Sequence, residues 1–147
     1  MIIKKNLNLA CDIKTDSRLN EVTFGESEGQ SIDDYRSAFQ NKDRFSRAPL
    51  NGETLNDVRK RVAAFLYELD TKYQDENILL ISHGDPIWMM NTMALGLRDD
   101  ESLQFAETGY LKLGEFKSLP FVPLPHNENF ELDLHRPYID EVELISE

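Results

Sequence analysis

The chain has 147 residues, about the size of one domain, with 40% hydrophobic residues to supply a core and 29% charged residues to cover it. Its 27 acidic against 16 basic side chains give a formal charge of −11, a surface that repels polyanions and argues against nucleic acid or an anionic membrane as partners of this segment. A single cysteine, Cys11, cannot close an internal disulfide, no apolar run is long enough for a membrane span, and the opening MIIKKNLNLA lacks the apolar core of a targeting signal, so the expected location is the cytoplasm.

In chain order, the first element is predicted over residues 31–45, where Ile32, Tyr35 and Phe39 recur at helical spacing behind Ser31, an N-cap. Asn51-Gly52 is a turn. Thr54 then caps a long helix whose stripe is Leu55, Val58, Val62, Phe65, Leu66, Leu69 and Tyr73. Asp75-Glu76-Asn77 breaks it. Residues 78–81, ILLI, form a short continuous apolar run with the pattern of a strand buried on both faces. Pro86 fits the first turn of a following helix that stops at Gly96. Residues 109–116 alternate and read as a further strand. Helix, buried strand and helix in this order predict an α/β fold: layered, with a mostly parallel sheet and flanking helices. Pro120, Pro123 and Pro125 mark residues 119–131 as an extended linker between a domain at 1–118 and a different segment at 132–147. No internal repeat or low-complexity tract interrupts this order.

The candidate chemistry begins where the apolar run of NILLISHGDP (77–86) ends on His83-Gly84. Ligands of open α/β sheets gather outside the carboxyl ends of strands. Gly84 lets the backbone turn sharply and approach a ligand, and the next helix points its N-terminus at the same place, which favours an anion. A protonated histidine there can donate to a phosphoryl oxygen; a histidine that merely caps the turn is the alternative. A second stretch, RLNEVTFGESEG (18–29), sets Glu21 in a glycine-bracketed loop, where a carboxyl can act as general acid on a leaving oxygen or simply be solvated.

Together these stretches resemble the histidine phosphatase superfamily, the phosphoglycerate-mutase-like proteins. RLNE-x3-G-x3-G resembles the family's acid-bearing loop, which implies Glu21 as proton donor. NGETLNDVRKRVAAFL resembles its G-E-[ST] helix start, with Glu53 and Arg61 in matching positions, and ILLISHGDPI resembles the strand and turn of its second active-site histidine, His83. Order and spacing agree over residues 9–116. The resemblance implies His83 and Glu21 as catalytic residues, Gly84, Glu53 and Arg61 as substrate-binding residues, a phosphorylated small molecule as substrate, and neither cofactor nor metal. Asp85 departs from the family, which often has a small or apolar residue there; an added anion beside a phosphate weakens binding. The family's nucleophilic Arg-His-Gly is absent, and the remaining histidines, His126 and His135, lie in the tail. The expectation is therefore an incomplete, phosphoglycerate-mutase-like domain, its second half only, inactive by itself.

The tail carries a second resemblance. LDLHRPYIDEVEL (132–144) is similar to a segment of the catalytic domain of isoleucyl-tRNA synthetase, without that enzyme's HIGH and KMSKS signatures. His126, Glu128 and His135 match no common zinc spacing. The two resemblances imply a phosphatase-like domain inserted in a larger synthetase polypeptide, with a non-catalytic structural or binding insert of the isoleucine-tRNA ligase as the alternative.

Overall fold

The structure is a computed structural model and describes residues 13–39, 42–73, 76–119, 121 and 123. Among the described residues there are four α-helices: α1 (Ile32–Ala38), α2 (Leu55–Lys72), α3 (Gly84–Ala94) and α4 (Asp99–Gly109). Short 3-10 turns at Ser17–Leu19, Gly25–Ser27 and Asp43–Phe45 fold the connecting loops.

Capping fixes where the helices start. Ser31 Oγ accepts from the Asp34 N–H at 3.1 Å and opens α1, as predicted. The helix stops at Ala38, well short of residue 45, and Phe39 caps it. Thr54 opens α2 with a reciprocal capping box: its hydroxyl accepts from the Asp57 N–H, and the Asp57 carboxylate accepts from the Thr54 N–H. From the predicted stripe, Leu55, Val58, Val62, Phe65 and Leu66 are all buried. Against them α3 lays Trp88, Met89, Met90 and Met93, so the core is a helix-on-helix layer closed by Val22 and Phe45 from the loops. Gly96, at φ 66°, follows the end of α3.

Sequence patterning did not reveal α4. Its first turn is acidic (Asp99, Asp100, Glu101), which suits the positive end of the helix dipole. A cation ties it to α2. Arg59 is fully buried and donates to Asp99 at 3.0 Å and to the Ser102 hydroxyl at 2.9 Å, while the Trp88 indole N–H of α3 donates to the Ser102 carbonyl at 3.1 Å.

The α/β expectation, a mostly parallel sheet with flanking helices, is overturned. No strand occurs among the described residues. Residues 78–81 are not buried on both faces: Ile78, Leu79 and Ile81 are 45%, 63% and 50% exposed, and Leu80 alone packs against the core. A strand is stabilised by a hydrogen-bonded neighbour rather than by its own preference, and no described segment pairs with this one. The strand predicted at 109–116 is also absent. Gly109 closes α4, residues 113–114 form a turn, and Leu113 and Phe116 face solvent. Within the predicted linker, Leu119 and Phe121 pack against the core, the Phe121 ring meeting Tyr67 edge-on at 5.3 Å. Cys11, His126, Glu128, His135 and the segment at 132–147 lie outside the described residues. No helix among the described residues is long and apolar enough to cross a membrane.

Candidate functional site

His83 and Glu21, 62 positions apart in sequence, face one another. The imidazole Nδ1 lies 3.9 Å from Glu21 Oε2, too far for a hydrogen bond and close enough for charge attraction when the ring is protonated. His83 is the N-cap residue of α3 by position, and its carbonyl accepts from the Ile87 N–H at 3.1 Å. Its side chain makes no capping hydrogen bond, so the turn-capping alternative fails. The imidazole is instead 57% exposed beside the carboxylate.

The loop bearing Glu21 is held mainly through its backbone. Arg61, two turns into α2, donates to the Arg18 carbonyl at 2.5 Å and to the Glu21 carbonyl at 3.2 Å. The same guanidinium binds Glu53 at 2.8 and 3.1 Å. Glu53 in turn accepts from the Thr23 N–H at 3.0 Å, and its own N–H donates to the Thr23 carbonyl at 2.8 Å. From the other side, the Ser82 hydroxyl donates to the Leu19 carbonyl at 2.6 Å. The adjoining loop lies close on the predicted Asn51-Gly52 turn, where Gly25 adopts φ 55° and a Cβ would fall 2.2 Å from the Leu50 carbonyl oxygen.

Glu53 and Arg61, which the resemblance implies as substrate-binding residues, pair with each other and with the Glu21 loop in this structure. Burial works to raise the Glu53 pKa, but the hydrogen bonds from Arg61 and the Thr23 N–H outweigh it and hold the carboxyl below its ordinary value.

Asp85, the departure from the family pattern, is not a bare anion. It is 7% exposed and paired with the Arg44 guanidinium, which also lies over the Tyr35 ring at 5.5 Å. Burial pulls the Arg44 pKa down, yet the Asp85 charge and hydrogen bond more than offset it. The Tyr110 hydroxyl donates to the other Asp85 oxygen at 3.2 Å. Burial and the neighbouring Asp85 charge, with a smaller push from Glu21, drive the phenol pKa up, so Tyr110 stays a donor. Gly84, the fifth predicted site residue, is the point of closest approach. A Cβ there would sit 2.2 Å from the Tyr110 oxygen.

Arg44 and Tyr110 carried no sequence signal, because their link to Asp85 is purely tertiary. A groove of about 440 Å³ lined by Leu66, Leu69, Tyr73, Ile87 and Met90 contains neither His83 nor Glu21. Among the described residues no cluster of three His, Cys, Asp or Glu side chains could hold a metal ion.

A histidine and a carboxylate thus lie face to face at a helix N-terminus, with the nearby Asp85 paired to Arg44. The family model of the histidine phosphatase superfamily (branch 1) matches residues 1–115, and the chain belongs to that superfamily. The match covers nearly the same span, residues 9–116, over which the resemblance was read from the sequence. Comparison with individual curated proteins returns no match.

Proposed function

We infer that the chain supplies part of a site for phosphomonoester hydrolysis or phosphoryl transfer through a phosphohistidine, acting on a phosphorylated small molecule. The observation that supports this reading is the 3.9 Å approach of His83 to Glu21 across 62 positions of sequence. A protonated His83 donates to a phosphoryl oxygen and stabilises the charge that builds there. Glu21, in its protonated form, delivers a proton to the leaving oxygen as the ester P–O bond breaks. The bond that forms is from an imidazole nitrogen to phosphorus, and water later hydrolyses it. The attacking imidazole belongs to an Arg-His-Gly, which these 147 residues do not contain. We assign it to sequence upstream in a larger polypeptide.

The test is hydrolysis of p-nitrophenyl phosphate. The 147-residue chain should show none above its His83→Ala control. A chain extended upstream to include an Arg-His-Gly should turn over, and His83→Ala should abolish that activity. Turnover by the short chain that His83→Ala removes would refute the nucleophile assignment. LDLHRPYIDEVEL favours a second reading, a structural insert of an isoleucine-tRNA ligase. An extended chain that stays inactive while the whole polypeptide charges tRNA with isoleucine would select it.

A further inference from the structure

We propose that Tyr110 is a positioning residue for His83, clamping the His83-Gly84 turn through the Arg44–Asp85 ion pair. The inference rests on reading His83 and Glu21 as the site, and it deepens that reading.

The imidazole of His83 is 57% exposed and makes no capping hydrogen bond. Its direction is therefore set by the backbone from which it hangs and by the attraction of Glu21. That backbone is gripped on two sides. Before it, Ser82 donates to the Leu19 carbonyl at 2.6 Å. After it, the Tyr110 hydroxyl presses against Gly84 so closely that a Cβ would lie 2.2 Å from the oxygen and 2.9 Å from the ring carbon bearing it. Only a hydrogen at position 84 admits the phenol.

The phenol, of a residue 43% exposed, is held at its hydroxyl end. Its hydroxyl donates to Asp85 Oδ1 at 3.2 Å, and its ring tilts against Trp88 at 5.8 Å. Asp85 is fixed by burial and by its pairing with Arg44, and Trp88 is fixed by its own bond to Ser102. Glu21 is near enough to the hydroxyl to oppose its ionisation, so Tyr110, Glu21 and the His83 turn share one neighbourhood. On this reading Gly84 serves to admit Tyr110. The glycine that the sequence suggests as room for a ligand makes room for a side chain of the chain itself.

The experiment uses the whole 147-residue chain and its imidazole ring signals, with His83 identified by their loss in His83→Ala. The nuclear Overhauser effect between the His83 ring and the Glu21 methylene protons reports their approach. Tyr110→Phe, which removes one oxygen, should shift the His83 signals and weaken that effect. The Trp88 indole N–H, bonded inside the core, should not move. Gly84→Ala should displace His83 in the same way, and combining it with Tyr110→Phe should add little. Unchanged His83 signals and an unchanged Overhauser effect in Tyr110→Phe would overturn the proposal, whatever Gly84→Ala does to folding. The upstream-extended chain separates the two inferences. If that chain, with its Arg-His-Gly, leaves p-nitrophenyl phosphate unhydrolysed while Tyr110→Phe still displaces His83, the positioning role stands and the phosphoryl reading falls.

Discussion

Replacing Arg61 with methionine should loosen the Glu21 loop at a cost that can be worked out from its partners. The guanidinium makes two bonds to Glu53 and two to loop carbonyls, and the paired side chains are 17% and 25% exposed. A charge-assisted hydrogen bond contributes about 1.5–3 kcal/mol net when buried, and an exposed pair under about 1 kcal/mol. Water can reach part of this cluster and re-solvate Glu53, so four bonds do not add. The expected loss is about 2–3 kcal/mol, between the surface and buried limits. The assay is urea unfolding of the whole chain at neutral pH, with the denaturant slope unchanged. The pH dependence supplies a second check. Glu53 has a depressed carboxyl in the folded state, so its contribution is fully present above the ordinary value of 4.5 and is lost as the pH falls through the lower folded value. The gap between the natural chain and Arg61→Met should therefore be flat above pH 4.5 and narrow below it. A loss under about 0.5 kcal/mol, the scale of an isolated surface pair, would refute the reasoning.

Arg44→Met leaves the Asp85 carboxylate buried with only Tyr110 as donor, and should destabilise the chain by about 3 kcal/mol in the same assay; Arg44→Met/Asp85→Asn should recover part of that loss, and no recovery would refute a charge effect. Gly25→Ala places a methyl against the Leu50 carbonyl at φ 55° and should cost at least about 2 kcal/mol, whereas Gly29→Ala, at φ 79° with open space around it, should cost about 1 kcal/mol; equal costs in thermal unfolding would refute the clash. The exposed Ile78, Leu79, Ile81, Leu113 and Phe116 should make the chain self-associate, with Leu79→Lys weakening the association; sedimentation as a monomer at every concentration would contradict this.

Where a pattern reports purely local physics, the sequence was legible. Ser31 and Thr54 mark helix starts because a hydroxyl satisfies an orphan N–H wherever it occurs, and the α2 stripe follows from 3.6-residue periodicity. Residues 78–81 misled because β-branched apolar side chains state a preference, whereas a strand also needs a partner edge. The α4 helix was missed because its buried contribution is small: Ser102 is fully buried, but Leu103, Phe105 and Ala106 only partly cover the core, and most of the helix reads as polar. At the candidate site, the motifs pointed to His83 and Glu21, which the fold brings within 3.9 Å of one another. They could not show that Glu53 and Arg61 bind the loop, or that Arg44 and Tyr110 converge on Asp85, since those pairings span 25 to 43 positions without periodicity.

The loop that bears Glu21 hangs by its carbonyls. Arg61 takes those of Arg18 and Glu21, Ser82 that of Leu19, and the Glu53 N–H that of Thr23. Every residue type offers the same carbonyl, so the placement of Glu21 is nearly independent of what its neighbours are. Asn20 and Thr23, both exposed, can be exchanged without shifting the carboxyl. Where the Glu21 carboxyl stands is thus set from Glu53, Arg61 and Ser82 rather than by the exposed side chains around it. For an engineer, that makes the loop a place to vary the surface while the carboxyl stays where it is.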